Sequence, residues 1–253
     1  MTAETLSERV YGPNRERALL SLRFSLERAF EGLKVSLTDV GADREGWVTV
    51  SIKGEDSEVA LEYVRRMYGT ALRRGEASRL SEVRGKVSEI TPETVIVDVG
   101  PGGLRASIPW SWLRIQLAPA AENLEETAKT LCIIKNIPMY VKIICPDVEP
   151  MQAKLSERQV KLYASWVRSG LDRVIVSSVT KSMLKKALKS SGLTKSSIVI
   201  EQLGVLEHSI LCSLASTPES LASAIQRVLP EANVAIFDPM KAKRIMGSRL
   251  LYP

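Results

Sequence analysis

Val83 to Leu113 reads VRGKVSEITPETVIVDVGPGGLRASIPWSWL. It opens with a short alternating run, turns at Thr91-Pro92, and continues with Val95, Val97 and Val99 on one face, the period of a strand. The corner Gly100-Pro101-Gly102-Gly103 calls for positive φ, and a third apolar run ends at Ile108-Pro109. Three short strands joined by tight turns make a β-meander. Downstream, MYVKIICPDVEPMQAKLSERQVK repeats the pattern: Val141, Ile143 and Cys145 alternate, Asp147 to Pro150 turn the chain, and Ala153 and Leu155 follow.

The order GKV…VDVG…IP.S.L resembles the first three strands of the S1-type nucleic-acid-binding barrel, a member of the oligonucleotide/oligosaccharide-binding class. The downstream run resembles the last two. The resemblance implies one barrel over residues 79–161, interrupted by an insertion at 111–138. Within the insertion, Leu113 and Leu117 suit a short helix. Leu124, Ala128 and Leu131 share one face of a second helix over 122–134, bracketed by Pro119 and Pro138.

On the N-terminal side, residues 1–78 read helix, strand, strand, helix. Asn14 is placed to cap a helix that carries Leu19, Leu22, Leu26 and Phe30 on one face and stops at Gly32. Strands at 33–38 and 47–53 flank a turn at Gly41–Gly46. A second helix begins at Glu55-Asp56, whose carboxylates suit the positive end of its dipole, and runs with Val59, Ala60, Tyr63, Val64 and Met67 at helical spacing. Residues 70–80 form an Arg-rich connection. After the barrel, residues 157–169 read as a connecting helix. Strands at 173–176, 198–203, 206–214 and 233–237 then alternate with helices at 180–190 and 218–229, the latter capped by Thr217. That β-α-β-β-α-β order is the ferredoxin-like split unit. The expected fold class is α+β in three parts: 1–78, 79–161 and 162–253, with one further helical turn at 240–246.

The composition is that of an ordinary globular chain, 45% apolar and 25% charged. Domains of about 80 residues bury only about 60% of their unfolded surface, so packing between them should matter. Three widely spaced cysteines, Cys132, Cys145 and Cys212, fit reduced thiols better than disulfides or zinc. No apolar run reaches the ~18 residues of a membrane span, and MTAETLSERV is too polar for a signal peptide. The expected setting is the cytoplasm, away from membranes. Net charge is +6, and its distribution is uneven: −1 over residues 1–78, +1 over 79–161 and +5 over 172–253.

Residues that carry chemistry are scarce. There is no GxxxxGK[ST], no GxGxxG after a strand and no GxSxG. The single histidine, His208, is a poor start for a metal site or a triad. Its neighbour Glu207 would point to the opposite face of a strand, so His208 reads as a structural or surface residue. No catalytic or metal-ligating residue is assigned, and no cofactor is expected. What remains is surface. Lys181, Lys185 and Lys189 recur at i, i+4 and i+8 with Lys186 beside them, opposite Leu184, Ala187 and Leu188. Lys195, Lys241, Lys243 and Arg244 are candidates to extend that patch. On the barrel, Arg84, Lys86, Arg105 and Lys154 are candidate phosphate contacts. Trp110 and Trp112 are either a displaced stacking platform or pins for the short helix.

Two wider resemblances bear on function. The order of S1-like barrel, helical connection and α/β domain is similar to the alpha subunit of archaeal and eukaryotic translation initiation factor 2, which lacks the extra N-terminal module. GWVTVSIKGED, IPWSWLRIQLA, SGLDRVIV and EQLGVLEHSILCS resemble an uncharacterised archaeal family, a domain of unknown function, over nearly the whole chain. The resulting expectation is a non-enzymatic RNA-binding protein working with rRNA or tRNA, with a ribosomal or translation-factor protein as a further partner. A protein-docking scaffold is the first alternative. An enzyme with its site between domains is the second.

Overall fold

The chain begins with a strand that its polar sequence conceals. In β1 (Thr2–Arg9), Leu6, Ser7 and Glu8 are all buried, so the alternation of a one-sided strand is missing. The structure, a computed structural model, describes residues 2–192, 199–212 and 217–247. Helix α1 (Arg15–Ala29), strands β2 (Val35–Ala42) and β3 (Trp47–Gly54), and helix α2 (Ser57–Tyr68) follow. They build an antiparallel sheet of order β1-β3-β2. The expected helix-strand-strand-helix series is present, with one more strand before it.

Two local details differ from expectation. The Asn14 side chain makes no cap; its amide donates instead to the Ser178 carbonyl at 2.9 Å, a contact to the last domain. In α2 the buried stripe is Ala60, Leu61, Val64 and Tyr68, leaving Val59, Tyr63 and Met67 exposed. Both stripes satisfy a helical period, and only the position of the sheet selects between them.

After α2 the chain passes once along the free edge of β1. Ser7 N donates to Gly69 O (3.1 Å) and Ala71 N to Thr5 O (2.9 Å), and then Leu72 N donates to Val99 O in the barrel (2.9 Å). The barrel consists of β4 (Glu82–Ile90), β5 (Thr94–Gly100), β6 (Leu104–Pro109), β7 (Pro138–Cys145) and β8 (Met151–Leu155). It closes in the order β4-β5-β6-β8-β7, with β6 and β8 parallel and β7 returning to β4. Val95, Val97 and Val99 point inward with no exposure, and Gly102 and Gly103 hold φ near +70° at the corner (72° and 73°). The insertion forms α3 (Trp110–Leu117) and a short α4 (Leu124–Thr130). Leu113, Leu117, Leu124, Ala128 and Leu131 are buried against the barrel core.

Helix α5 (Glu157–Ser169) leads to β9 (Arg173–Ser177), α6 (Lys181–Ser190), β10 (Val199–Gln202), β11 (His208–Leu211), α7 (Pro218–Val228), β12 (Asn233–Phe237) and α8 (Pro239–Met246). The antiparallel order β10-β11-β9-β12 is ferredoxin-like. Thr217 caps α7 as expected, and Thr180 caps α6. The N-terminal module repeats this plan: β2-β3-β1 corresponds to β10-β11-β9, and Gly69–Leu72 lies where a fourth strand would run. The chain is thus a barrel between a shortened and a complete split unit.

Successive residues of β9 face opposite ways. Val174 and Val176 pack with Leu184, Leu188, Leu221 and Ile225 of α6 and α7. Ile175, with Phe237, joins the barrel core through α5 and α8. Val205 and Leu206 of the last domain are buried in the core of the N-terminal module. Apolar cores therefore cross between the parts, which favours a fixed arrangement over loosely tethered domains.

Candidate nucleic-acid interface

Helix α6 owes its amphipathic form to Leu184, Ala187 and Leu188, which are buried on the sheet. Lys185, Lys186 and Lys189 are exposed and Lys181 half-buried on the remaining surface. No acidic residue occurs in the helix, so nothing along it offsets the like charges.

Across from α6 lies α1. Between them, with the end of α7, runs an open cleft of about 870 Å³ lined by Arg17, Leu20, Phe24 and Arg28 from α1 and by Met183 and Lys186 from α6. Its lining contains three cations and no carboxylate. Phe24 is 69% exposed and Leu20 57%, which places an unpartnered aromatic face among the cations. Of the α6 lysines, Lys186 lines the cleft; Lys181, Lys185 and Lys189 form a neighbouring row on the same helix outside its lining. Arg17, Phe24 and Arg28 were not singled out from the sequence. Their signal was present: at spacings of seven and four residues they form a stripe off the Leu22–Leu26 face, and Phe24 is an aromatic on the wrong side for the core.

The barrel candidates fare differently. Lys86 has no exposure and Arg84 only 7%, so neither presents charge to a phosphate; this corrects the surface role expected for them. Strand alternation does direct both outward from the barrel, but β1 and the Leu203–Glu207 turn cover that face. Lys86 Nζ pairs with Glu8 at 2.7 Å and with Glu207. Arg84 pairs with Glu8 at 2.6 Å and donates to the carbonyls of Tyr68 and Leu203, each at 2.6 Å. Tyr11 OH donates to Glu207 at 2.6 Å, and Val205 N donates to Glu8 at 3.1 Å. Two cations and two carboxylates from three parts of the chain thus balance. Gly204 makes room for them, since a Cβ there would meet Glu207, Lys86 and Glu8 well inside contact distance.

Burial alone would raise both carboxyls. Arg84 and Lys86 outweigh burial at Glu8 and hold it below the usual range. At Glu207 burial prevails, the pull of Lys86 being opposed by Glu8, and its carboxyl stays above the usual range. His208, next to it, is buried on the α6 side. Its Nε2 lies 3.0 Å from the Val179 carbonyl, so that nitrogen carries the proton, and burial lowers the pKa to about 4.

Elsewhere on the barrel, β5 and β6 form the face that barrels of this class use for nucleic acid. Here Arg9 of β1 pairs with Asp98 of β5, and the Gly102 amide donates to Glu45, so the N-terminal module leans on that face. Arg105 is exposed beside Asp98 and Glu89. The β7–β8 loop carries exposed Asp147 and Glu149. Lys154 is half-buried on β8, opposite Lys142. Trp110 is half-buried against the barrel core, and Trp112 is half-buried beside it in sequence.

Lys241, Lys243 and Arg244 are exposed on α8. That helix packs on α5 with Ala242, Ile245 and Met246 in the barrel-side core, across the sheet from α6. They do not extend the α6 patch as expected, because β9 divides the two helices. Lys195 lies outside the described residues.

Residues 4–74 match the DUF2110 N-terminal domain, and residues 171–237 match the DUF2110 C-terminal domain. The chain belongs to the DUF2110 family. The two matches together take in more than half of this DUF2110 chain and correspond to its two split units, with the barrel between them. No curated protein matches the sequence. Among solved structures, an a/eIF2alpha–aDim2p–rRNA complex from Pyrococcus horikoshii OT3 is similar at 14% identity, over 46% of this chain and 64% of that one, with a TM-score of 0.26. The intact alpha subunit of aIF2 from Pyrococcus abyssi is similar at 10% identity, over 65% of this chain and 98% of that one, with a TM-score of 0.27. Likeness at this level says nothing about what the DUF2110 chain binds. Among the described residues, no helix is long and apolar enough to cross a membrane, and no group of three or more His, Cys, Asp or Glu residues is placed to hold a metal.

Proposed function

We propose that this DUF2110 protein is a non-enzymatic RNA-binding protein, working with rRNA or tRNA, and that RNA lies along α6 and in the α1–α6 cleft. The observation that carries the reading is the cleft itself: Arg17, Arg28 and Lys186 around the open ring of Phe24, with no carboxylate in the lining. Cations neutralise phosphates and release counterions, while an exposed aromatic face stacks on an unpaired base of any sequence. In this reading the barrel is chiefly a scaffold, since the N-terminal module engages its β5–β6 face.

The test is fluorescence anisotropy of a labelled single-stranded RNA over a range of salt concentrations. Each neutralised phosphate contributes about −0.7 to the slope of log affinity against log salt. Replacing Lys181, Lys185 and Lys189 with Gln should make the slope shallower by roughly 2 and leave the circular dichroism spectrum unchanged. An unchanged slope in the folded variant removes α6 from the site.

A second reading, docking of a ribosomal or translation-factor protein, has its own observation. Val59, Tyr63 and Met67 form an exposed apolar stripe at four-residue spacing on α2 (60%, 40% and 55% exposed). Absence of RNA affinity in the wild type favours that reading.

A further inference from the structure

A second cavity, of about 360 Å³, opens where the barrel meets α5 and the last sheet. It lies across that sheet from the α1–α6 cleft and shares none of its residues. Its inner walls are apolar and aromatic: Tyr163 and Trp166 of α5 and Ile175 of β9, all buried. The walls are held firmly. Trp166 meets Tyr163 edge-to-face at 5.5 Å and Phe237 at 5.3 Å.

The mouth has a different character. The Arg158 guanidinium lies 4.0 Å over the Tyr140 ring, and Lys161, one helical turn on, is exposed beside it. Neither takes a carboxylate partner among the described residues, and no Asp or Glu lines the cavity. The volume falls in the range of small-molecule sites, about 300–1,000 Å³, and is many times the roughly 30 Å³ of one water. Close-packed interiors hold few voids larger than a water molecule. Apolar, flat-sided walls select a planar ring, and two uncompensated cations at one end select an anionic group on it.

We propose that this cavity is a binding site for a planar aromatic anion of mononucleotide size. The ring sits against the half-buried Tyr140, Leu162 and Leu203, over a floor of Tyr163 and Trp166, and the anionic group sits at Arg158 and Lys161. The same chemistry is supplied by a free nucleotide or by one unpaired nucleotide of an RNA strand. The site stands apart from the α6 reading, since neither Lys181, Lys185 nor Lys189 lines it.

The test uses the full chain and isothermal titration calorimetry with the four nucleoside 5′-monophosphates and their nucleosides. At least one monophosphate should saturate a single site and bind about tenfold or more tightly than its nucleoside, as expected for a charge-assisted contact. The double variant Arg158→Ala/Lys161→Ala should weaken that binding by about tenfold or more. Both side chains are exposed at the mouth, so its unliganded melting temperature should fall only slightly, through loss of the Arg158 contact with the Tyr140 ring. A short single-stranded oligonucleotide that displaces the bound monophosphate identifies RNA as the source, and failure to displace it identifies a free nucleotide; both support the site. The proposal is overturned if no monophosphate saturates below about 10 mM, if nucleoside and monophosphate bind equally, or if the double variant binds as wild type.

Discussion

Lys86 joins two carboxylates from distant parts of the chain, Glu8 and Glu207, and its substitution has a distinct signature. Removing one partner of a buried ion set leaves charge uncompensated and destabilises by about 3–5 kcal/mol. Lys86→Met leaves Glu8 and Glu207 facing one another, whereas Glu207→Gln leaves Lys86 still paired with Glu8. Urea denaturation should therefore show a clearly larger loss for Lys86→Met than for Glu207→Gln; the reverse order contradicts the charge balance described here. His208 contributes separately. Its pKa is about 4 in the fold against 6.5 for an ordinary histidine, so the unfolded chain takes up the proton first. Stability from this group is present above pH 6.5 and is lost as pH falls towards 4, by up to about 3 kcal/mol. His208→Gln keeps a donor for the Val179 carbonyl and should flatten the decline relative to wild type over that interval. The sequence marks Arg84 and Lys86 as candidate phosphate contacts on the barrel and gives no sign of what covers them. The covering groups, Glu8 and Glu207, lie on other parts of the chain, and strand periodicity carries no information about them.

Helices and strands were legible where one face is buried and the other is wet. The barrel strands, α6, α7 and β12 follow the period of their apolar residues, with boundaries within a residue or two over the described stretches. β1 was hidden because its burial pattern is two-sided, and α2 was out of phase because two apolar stripes compete on it. Helix α1 shows how a site escapes the same analysis. Its inner stripe, Ala18, Leu22 and Leu26, satisfies the core, and Phe24 on the outer side attracts no attention until α6 is seen opposite it. Phe24→Ala should weaken single-stranded RNA binding by about 1–3 kcal/mol, the range for one stacked base. Its 69% exposure means that thermal stability should scarcely change. Anisotropy and a melting curve on the same preparation check both halves; equal RNA affinity removes Phe24 from the interface.

At the scale of the molecule, three parts share their cores and one ion set, so they should unfold together. Far-ultraviolet circular dichroism and tryptophan fluorescence should give coincident urea transitions in the wild type. Lys86→Met, which weakens the junction and spares each sheet, should separate them. Coincident transitions in both proteins would place the coupling in the apolar contacts of Val205, Leu206, Ile175 and Phe237 alone. The order of parts was visible from sequence because each carries its own periodicity. Their mutual packing was not, because it rests on residues far apart in the sequence, in the shared cores and in contacts such as Asn14 to Ser178 and Arg9 to Asp98.

The buried ion set also fixes an order of events in time. Glu8 and Val205, which donates to it, are 197 residues apart. At about 5–20 residues per second, a ribosome takes roughly 10–40 s to travel that far. Through this interval the first module and then the barrel have emerged, while the turn that closes over Glu8 and Lys86 does not yet exist. Both side chains stay hydrated until that turn has been made. The turn at Leu203–Glu207 is therefore what shuts the seam between the first module and the barrel, and a chain released before it leaves that seam open to water.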